Sequence, residues 1–217
     1  MAAPASATAV APAVAPAVAE VERLLGVVEA LDAQGAQELR GGLPRCDSTF
    51  GLGLAFFLTA TGGGGRDWLG PDLCRSLDAL DGGALLEDLE VALLPRHRST
   101  ADGRSWRVLT IPVLESRSTR SLLCAVADDD LQTGNAFVLQ MRLPQLGAVQ
   151  LVAGGEGKRF DVTLQTADGL SSALLADIQE DFAAAMADAG LRGDLTIGPL
   201  VGSWLDLDEG LSADAVV

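Results

Sequence analysis

The sequence predicts an α+β fold, in which a helical subdomain precedes an antiparallel sheet of about five or six strands. Apolar residues recur at helical spacing in the first half of the chain, and the spacing changes to alternation at Ser105. Helical spacing returns once, from Ser171 to Ala189, as one long amphipathic helix that we expect to cover the sheet. Because helices and strands occupy separate parts of the chain, they are not expected to alternate as in an α/β protein.

The composition restricts the classes of partner. Of the 217 residues 48% are hydrophobic, so the chain can build a substantial core. The formal net charge of -15 would repel phosphates, and we therefore expect no nucleic-acid partner. The longest apolar run, Leu52 to Ala60, is far shorter than the ~20 residues of a membrane-spanning helix, which predicts no membrane span.

The amino-terminal half is predicted to be helical after an extended arm. Repeated prolines in residues 1–18 predict a disordered Ala/Pro arm. Glu20 to Leu31 has a helical apolar stripe, and a glycine-rich loop follows it. The segment from Phe50 to Ala60 is apolar on nearly all sides, which predicts a helix at the buried centre of this half. Shorter helices are indicated after Pro71 and from Leu85 to Leu94.

The polar stretch from Arg96 to Gly103 is interpreted as a loop that leads into the sheet. Alternation then predicts strands near Ser105–Ile111, Ser121–Val126, Phe137–Leu143, Val149–Leu151 and Phe160–Gln165, with a last short strand at Leu195 and Ile197. Gly190 is a signal for the end of the long helix. The predicted organisation is a disordered arm (1–18), a helical subdomain (19–98), a sheet-plus-helix domain (103–200) and an acidic tail (201–217).

Motifs for catalysis are missing from the sequence. His97 is the only histidine and lies between two arginines, which favours a solvated side chain over a catalytic base. The glycine-rich turn at residues 62–65 lacks the Lys-Ser/Thr pair of a phosphate-binding loop. The three cysteines are far apart and have no zinc-type spacing. We therefore expect no enzymatic activity, no cofactor and no metal site.

The segment from Phe137 to Ile197 carries the most distinctive order of motifs. A strand leads into the turn Leu143-Pro144-Gln145-Leu146-Gly147, and two further strands joined by a glycine hairpin precede the helix that ends in Ala189-Gly190-Leu191. In this order the segment, about residues 137–198, resembles the C-terminal domain of flagellar hook-length control proteins. The chain around it is similar to uncharacterised alphaproteobacterial proteins that carry this domain.

The resemblance implies a non-enzymatic protein-interaction module that acts in the regulation of flagellar type III export or hook assembly. In that family the domain contacts the export gate's substrate-specificity switch component, which is the implied protein partner. The implied location is cytoplasmic, with export through the flagellar apparatus left open. Hook-length control proteins also have a long amino-terminal ruler, whereas the predicted arm here is only 18 residues, which favours a regulator or a shortened relative.

The candidate contact regions are the turn, the acidic face of the long helix and the tail. Their residues are Leu143, Pro144, Leu146, Gly147, Asp177, Asp181 and Trp204. The alternative function is a small-molecule-binding protein or hydrolase that uses a groove between the helical and β subdomains. A deep pocket with convergent polar groups would favour this alternative, and a filled interface would favour the interaction module.

Overall fold

A computed structural model describes residues 16–81, 83–99, 105–116, 118–127 and 135–200. The described residues contain seven helices and seven strands. Six helices precede the sheet: α1 (Pro16–Leu31), α2 (Ala33–Gly41), α3 (Phe50–Thr61), α4 (Gly65–Leu69), α5 (Pro71–Asp81) and α6 (Ala84–Leu93).

All seven strands form one sheet whose spatial order is the order of the chain. They are β1 (Arg96–Ser99), β2 (Ser105–Glu115), β3 (Ser118–Ala127), β4 (Asn135–Leu143), β5 (Gly147–Glu156), β6 (Arg159–Thr166) and β7 (Leu195–Pro199), and α7 (Ser172–Asp188) connects the last two. Strands β1 to β6 are antiparallel, and β7 is parallel to β6. The predicted α+β class is confirmed, with a larger sheet than expected and one parallel pair at its edge.

The helix α1 attaches the helical half to the sheet, because it packs against both β2 and β3. Leu24 and Val28 lie on its buried face, as the helical spacing predicts, whereas Leu31 is 51% exposed. The helix begins at Pro16, where a missing N–H group does not disturb the first turn. The last three residues of the predicted arm therefore belong to α1, and residues 1–15 lie outside the described chain.

One apolar core fills the space between the amino-terminal helices and the sheet. It joins buried residues of α1, α3, α5 and α6 to Ile111, Leu122 and Cys124 of β2 and β3. Ile111 is directly opposite Leu122 in the register, so both side chains point to the helical side. The interface between the helical half and these strands is therefore occupied by packed apolar side chains.

The helix α3 does not lie at the buried centre of the helical half, and this prediction was wrong. Phe57 is the one buried residue of the helix, and its ring meets Trp68 edge-on at a centroid distance of 5.4 Å. Leu52 and Phe56 are 63% and 65% exposed. Because α3 is apolar on nearly all sides, its sequence does not indicate which side is buried.

Two further elements lie where the sequence predicts loops. The polar segment Arg96–Ser99 forms β1, in which His97 is exposed and lies opposite Arg107 of β2. The glycine-containing segment after α1 forms α2, whose first turn is capped by Asp32, since this carboxylate accepts a hydrogen bond of 3.0 Å from the Gln34 N–H. Neither segment has the apolar periodicity from which an element can be predicted.

Candidate partner-binding surface

The turn between β4 and β5 is held by its last residue, Gly147. The two strands pair up to Leu143 and Gly147, which leaves Pro144 to Leu146 as the loop. Gly147 has a φ of 65°, a conformation that favours glycine. A Cβ atom on this glycine would also lie 3.2 Å from the Ala167 Cβ, so the site has little room for a larger residue. The glycine at the end of the Leu143-Pro144-Gln145-Leu146-Gly147 turn is thus explained by backbone geometry.

This turn lies beside the segment that leads from β6 into α7. The Ala167 N–H donates to the Ala148 carbonyl at 2.8 Å, and the Asp168 N–H donates to the Leu146 carbonyl at 3.4 Å. Leu143 and Leu146 are half-buried, whereas Pro144 is exposed. The turn and the start of α7 therefore belong to the same end of the sheet.

Both ends of α7 are defined by local signals. At its start, the Ser171 hydroxyl oxygen accepts a hydrogen bond of 3.3 Å from the Leu174 N–H. At its end, the Gly190 N–H donates to the Ala187 carbonyl and the Leu191 N–H donates to the Met186 carbonyl, which is the Schellman arrangement. Gly190 has the positive φ (64°) that this arrangement requires, so the predicted glycine signal is confirmed.

The acidic side of α7 faces solvent. Asp177 and Asp181 are both exposed, as a partner contact requires. Met186 is the one buried residue of this helix, whereas Ile178 and Phe182 on the predicted apolar face are half-buried. α7 therefore keeps much of its surface accessible to another molecule.

A groove of about 500 Å³ lies between the second half of α7 and the chain that enters β7. Its lining residues are Gln179, Phe182, Ala183, Met186, Ala187, Leu191, Arg192, Gly193, Asp194 and Leu195. Large apolar side chains come from both walls, since Phe182 and Met186 belong to the helix and Leu195 to the strand. Leu195 is opposite Val162 of β6 in the register, which places α7 on the face of the sheet to which both residues point.

A network of charged side chains supports the strand wall of this groove. The Arg159 guanidinium donates to both Asp161 oxygens, at 2.8 and 3.0 Å, and to Asp194 at 3.0 Å. The Asp194 N–H also donates to Asp161, at 2.9 Å. The Arg159 hydrogen bonds, followed by that from the Asp194 N–H, hold the pKa of Asp161 below its usual range. All three side chains are exposed, so the network fixes local geometry more than it adds stability.

The sequence did not indicate the groove, because its two walls are contributed by separate elements. The imbalance of charge in this part of the chain was nevertheless visible, since residues 160–200 contain seven acids and one base, Arg192. The exposed Leu52 and Phe56 of α3 are a second surface that the sequence did not predict. Trp204, the last candidate contact, lies outside the described residues.

Within the described ranges, no three His, Cys, Asp or Glu side chains are grouped so that they could hold a metal ion. None of the helices in those ranges is both long enough and apolar enough to span a bilayer. Cys74 and Cys124 are buried and Cys46 is exposed, and all three are free thiols. Burial raises the pKa of the Cys124 thiol, which makes it a poor nucleophile.

Comparisons with protein-family models, with curated proteins and with solved structures give no match for this chain.

Proposed function

We propose that this chain is a non-enzymatic protein-interaction module that regulates flagellar type III export or hook assembly. The flagellar context comes from the motif order between Phe137 and Ile197, which resembles the C-terminal domain of hook-length control proteins. The partner in this proposal is the substrate-specificity switch component of the export gate, and the module acts in the cytoplasm.

The observation that carries the proposal is the position of the turn next to the start of α7. Gly147 lies against Ala167 and Asp168, a few residues before the helix begins. Pro144 is exposed in the turn. Asp177 is also exposed, and it lies about 8 Å along the helix axis from the first residue of α7, because an α-helix rises 1.5 Å per residue. One partner of ordinary interface size can therefore contact the turn and the acidic side of α7 together.

The packing of the molecule favours this function over a hydrolase or small-molecule site between the two halves. The interface of the amino-terminal helices with β2 and β3 is filled by a continuous apolar core that includes Leu24, Leu89 and Ile111. A small-molecule site there would require a concave space with a few convergent polar groups.

The test is a binding assay between the full chain and the purified cytoplasmic part of the switch component. The double variant Asp177→Arg, Asp181→Arg reverses the acidic side of α7 and is expected to weaken retention by about tenfold or more, because charges at an interface affect association strongly. The matched control, Asp72→Arg with Glu87→Arg, makes the same change of charge at exposed positions of α5 and α6 and should bind like the unmodified chain.

A strain without this gene supplies the biological readout. We expect altered hook length or altered export of filament-type proteins, restored by the unmodified chain but not by the α7 double variant. Absence of binding to the switch component, together with normal motility and hook length in this strain, would refute the proposal.

A further inference from the structure

The outer edge of β7 carries main-chain groups that the described part of the sheet does not use. On the inner side, the Val162 N–H donates to the Asp194 carbonyl at 2.9 Å. The Leu200 N–H donates to the Thr166 carbonyl, also at 2.9 Å. Because the main-chain groups of successive residues in a strand alternate in direction, the even-numbered residues of this segment face β6. The odd-numbered residues, of which Ile197 is the central one, direct their N–H and C=O groups outward.

The chain itself continues from the end of this edge. No strand within the described ranges pairs with the outer side of β7, because the sheet order ends there. An edge of this kind is a template for the addition of another strand. Leu200 is the last described residue, and residues 201–217 follow it directly. A segment attached at this point has a high local concentration at the edge, because its pairing with β7 is intramolecular.

The first residues of this segment carry a hairpin signal. In a hairpin with a two-residue turn, the residues on either side of the turn exchange main-chain hydrogen bonds, so the first of them must direct its groups outward. Leu200 does not meet this requirement, because its N–H is bonded to Thr166. Val201 is the next residue in the alternation, and the turn would then consist of Gly202 and Ser203. Glycine followed by serine is a signal for a type II′ turn.

The residues after this turn have the composition of an edge strand. Two leucines alternate with two acids in the sequence Trp204-Leu205-Asp206-Leu207-Asp208. The register that the turn fixes puts Leu207 opposite Gly198 of β7. A Cβ atom on Gly198 would have nothing within 4 Å, so there is space for the leucine side chain on this side of the sheet. Charged residues are typical of an outermost strand, since they prevent the addition of a further one.

The same register gives Trp204 a place to pack. Trp204 would lie opposite Val201 and therefore on the face of the sheet to which Leu195 points, which is the face that α7 covers. The first turn of α7 exposes 36% of Leu174 on this end of the sheet, because the chain enters the helix shortly after Thr166. An indole ring at this position would cover an exposed apolar side chain.

We propose that residues 204–208 form an eighth strand of the sheet, antiparallel to β7 and joined to it by the turn Gly202-Ser203. The tail thereby closes the outer edge within the same chain. Pro199 has no N–H group, so it supplies only an acceptor to this pairing. The new edge is acidic and would repel a second copy of a chain whose net charge is -15. Neither the flagellar context nor the export switch component enters this proposal.

The first test measures the register by disulfide exchange in the full chain, with Cys46→Ser to remove the exposed native thiol. The variant Gly198→Cys, Leu207→Cys places two thiols at directly opposite positions without mutual hydrogen bonds, where antiparallel strands are closest. In Gly198→Cys, Asp208→Cys the second thiol points to the other face. Each crosslink converts one oxidised glutathione into two reduced ones, so a glutathione buffer gives the effective concentration of each pair. The first pair should exceed the second by about tenfold or more.

The second test is amide hydrogen exchange, measured by NMR. The Ile197 N–H should donate to the Asp208 carbonyl and exchange at least about tenfold more slowly than in an unstructured chain. Gly202→Val disfavours the positive φ of the turn and should remove both this protection and the preference for the directly opposite crosslink. Gly210→Val makes the same replacement beyond the strand and should preserve both. The Thr196 N–H, which faces β6, should stay protected in every variant and shows that β7 remains folded.

Four results would overturn the proposal. The first is an equal effective concentration for the two thiol pairs, and the second is an Ile197 amide that exchanges at the unstructured rate in the unmodified chain. The third is slow exchange that persists in Gly202→Val. The fourth is protection of Ile197 that rises with protein concentration, because a second copy of the chain would then occupy the edge. Binding to the export switch component is measured separately, so either proposal can fail while the other stands.

Discussion

α1 and α7 are helices of 16 and 17 residues beside the same sheet, yet they are covered to very different extents. Six residues of α1 are buried, namely Ala17, Val18, Val21, Leu24, Leu25 and Val28. In α7 only Met186 is buried. The difference follows from their neighbours, because α1 contacts α2, α6, β2 and β3, whereas the second half of α7 borders an open groove.

The amino-terminal helices fix the fold, whereas α7 has surface that remains available for binding. The amino-terminal helices share one core with β2 and β3, so a change in that core should affect the whole protein. α7 is defined largely by its own capping residues, Ser171 and Gly190, and by half-buried contacts. Substitutions around α7 should therefore cost less stability and have larger effects on binding.

The largest loss of stability is expected from Phe57→Ala in the amino-terminal core. Phe57 is 2% exposed and contacts Trp68, so its removal leaves a cavity that should cost about 4 kcal/mol of unfolding free energy. Phe56→Ala removes the same ring from the adjacent, exposed position and should change stability by no more than about 0.5 kcal/mol. Urea unfolding of both variants measures this difference. Similar losses would show that the exposed side of α3 is covered in solution.

A smaller but clear loss is expected from Gly193→Ala, at the connection between α7 and β7. A Cβ atom there would lie against the Phe160 carbonyl, so the backbone must shift, at a cost of about 2 kcal/mol. The matched variant is Gly198→Ala on β7, where nothing lies within 4 Å of the added Cβ. Thermal unfolding should separate the two variants. An unaffected Gly193→Ala protein would mean that this connection is not packed tightly.

Elements with a clear pattern could be predicted from the sequence, whereas those that depend on tertiary pairing could not. The alternation from Phe160 to Gln165 and the Gly190 signal correspond closely to β6 and the end of α7. β1 has a polar sequence and exists because it pairs with β2, which local periodicity does not reveal. The orientation of α3 likewise depends on its contact with Trp68, since its own sequence has no polar side.

The candidate site was accessible to sequence reasoning only in part. The turn from Leu143 to Gly147 could be predicted because Pro and Gly have definite backbone requirements. Its position beside Ala167 and Asp168 required the register of β5 and β6, which is a long-range property. The groove required the crossing of α7 over the sheet, so no pattern within either wall could indicate it.

A still smaller loss is expected from Phe182→Ala, which tests how much α7 contributes to the fold. The side chain is half-buried, so its truncation should lower the free energy of unfolding by about 1 kcal/mol, well below the value for Phe57. Asp181→Ala, on the exposed side of the helix, is the control and should be neutral to within about 0.5 kcal/mol. A loss as large as that of Phe57→Ala would remove the distinction between the amino-terminal core and α7.

The smallest effect is expected at the charged network beside the groove, in the variant Asp161→Asn. Because the folded state holds the pKa of Asp161 below its usual value of about 3.9, the ionised group stabilises the folded state above that pH, and this contribution is lost as the pH falls through the lowered pKa. The variant should therefore unfold at a slightly lower temperature than the unmodified chain near neutral pH. The difference should disappear under acidic conditions, where the native carboxyl group is also protonated. Asp177→Asn, which makes the same replacement at an exposed acid without an ion pair in the described chain, is the control for the substitution itself. If the difference in unfolding temperature between Asp161→Asn and the unmodified chain stays constant at all pH values, the Asn side chain alters packing. The charge of Asp161 then does not hold β7 beside Arg159.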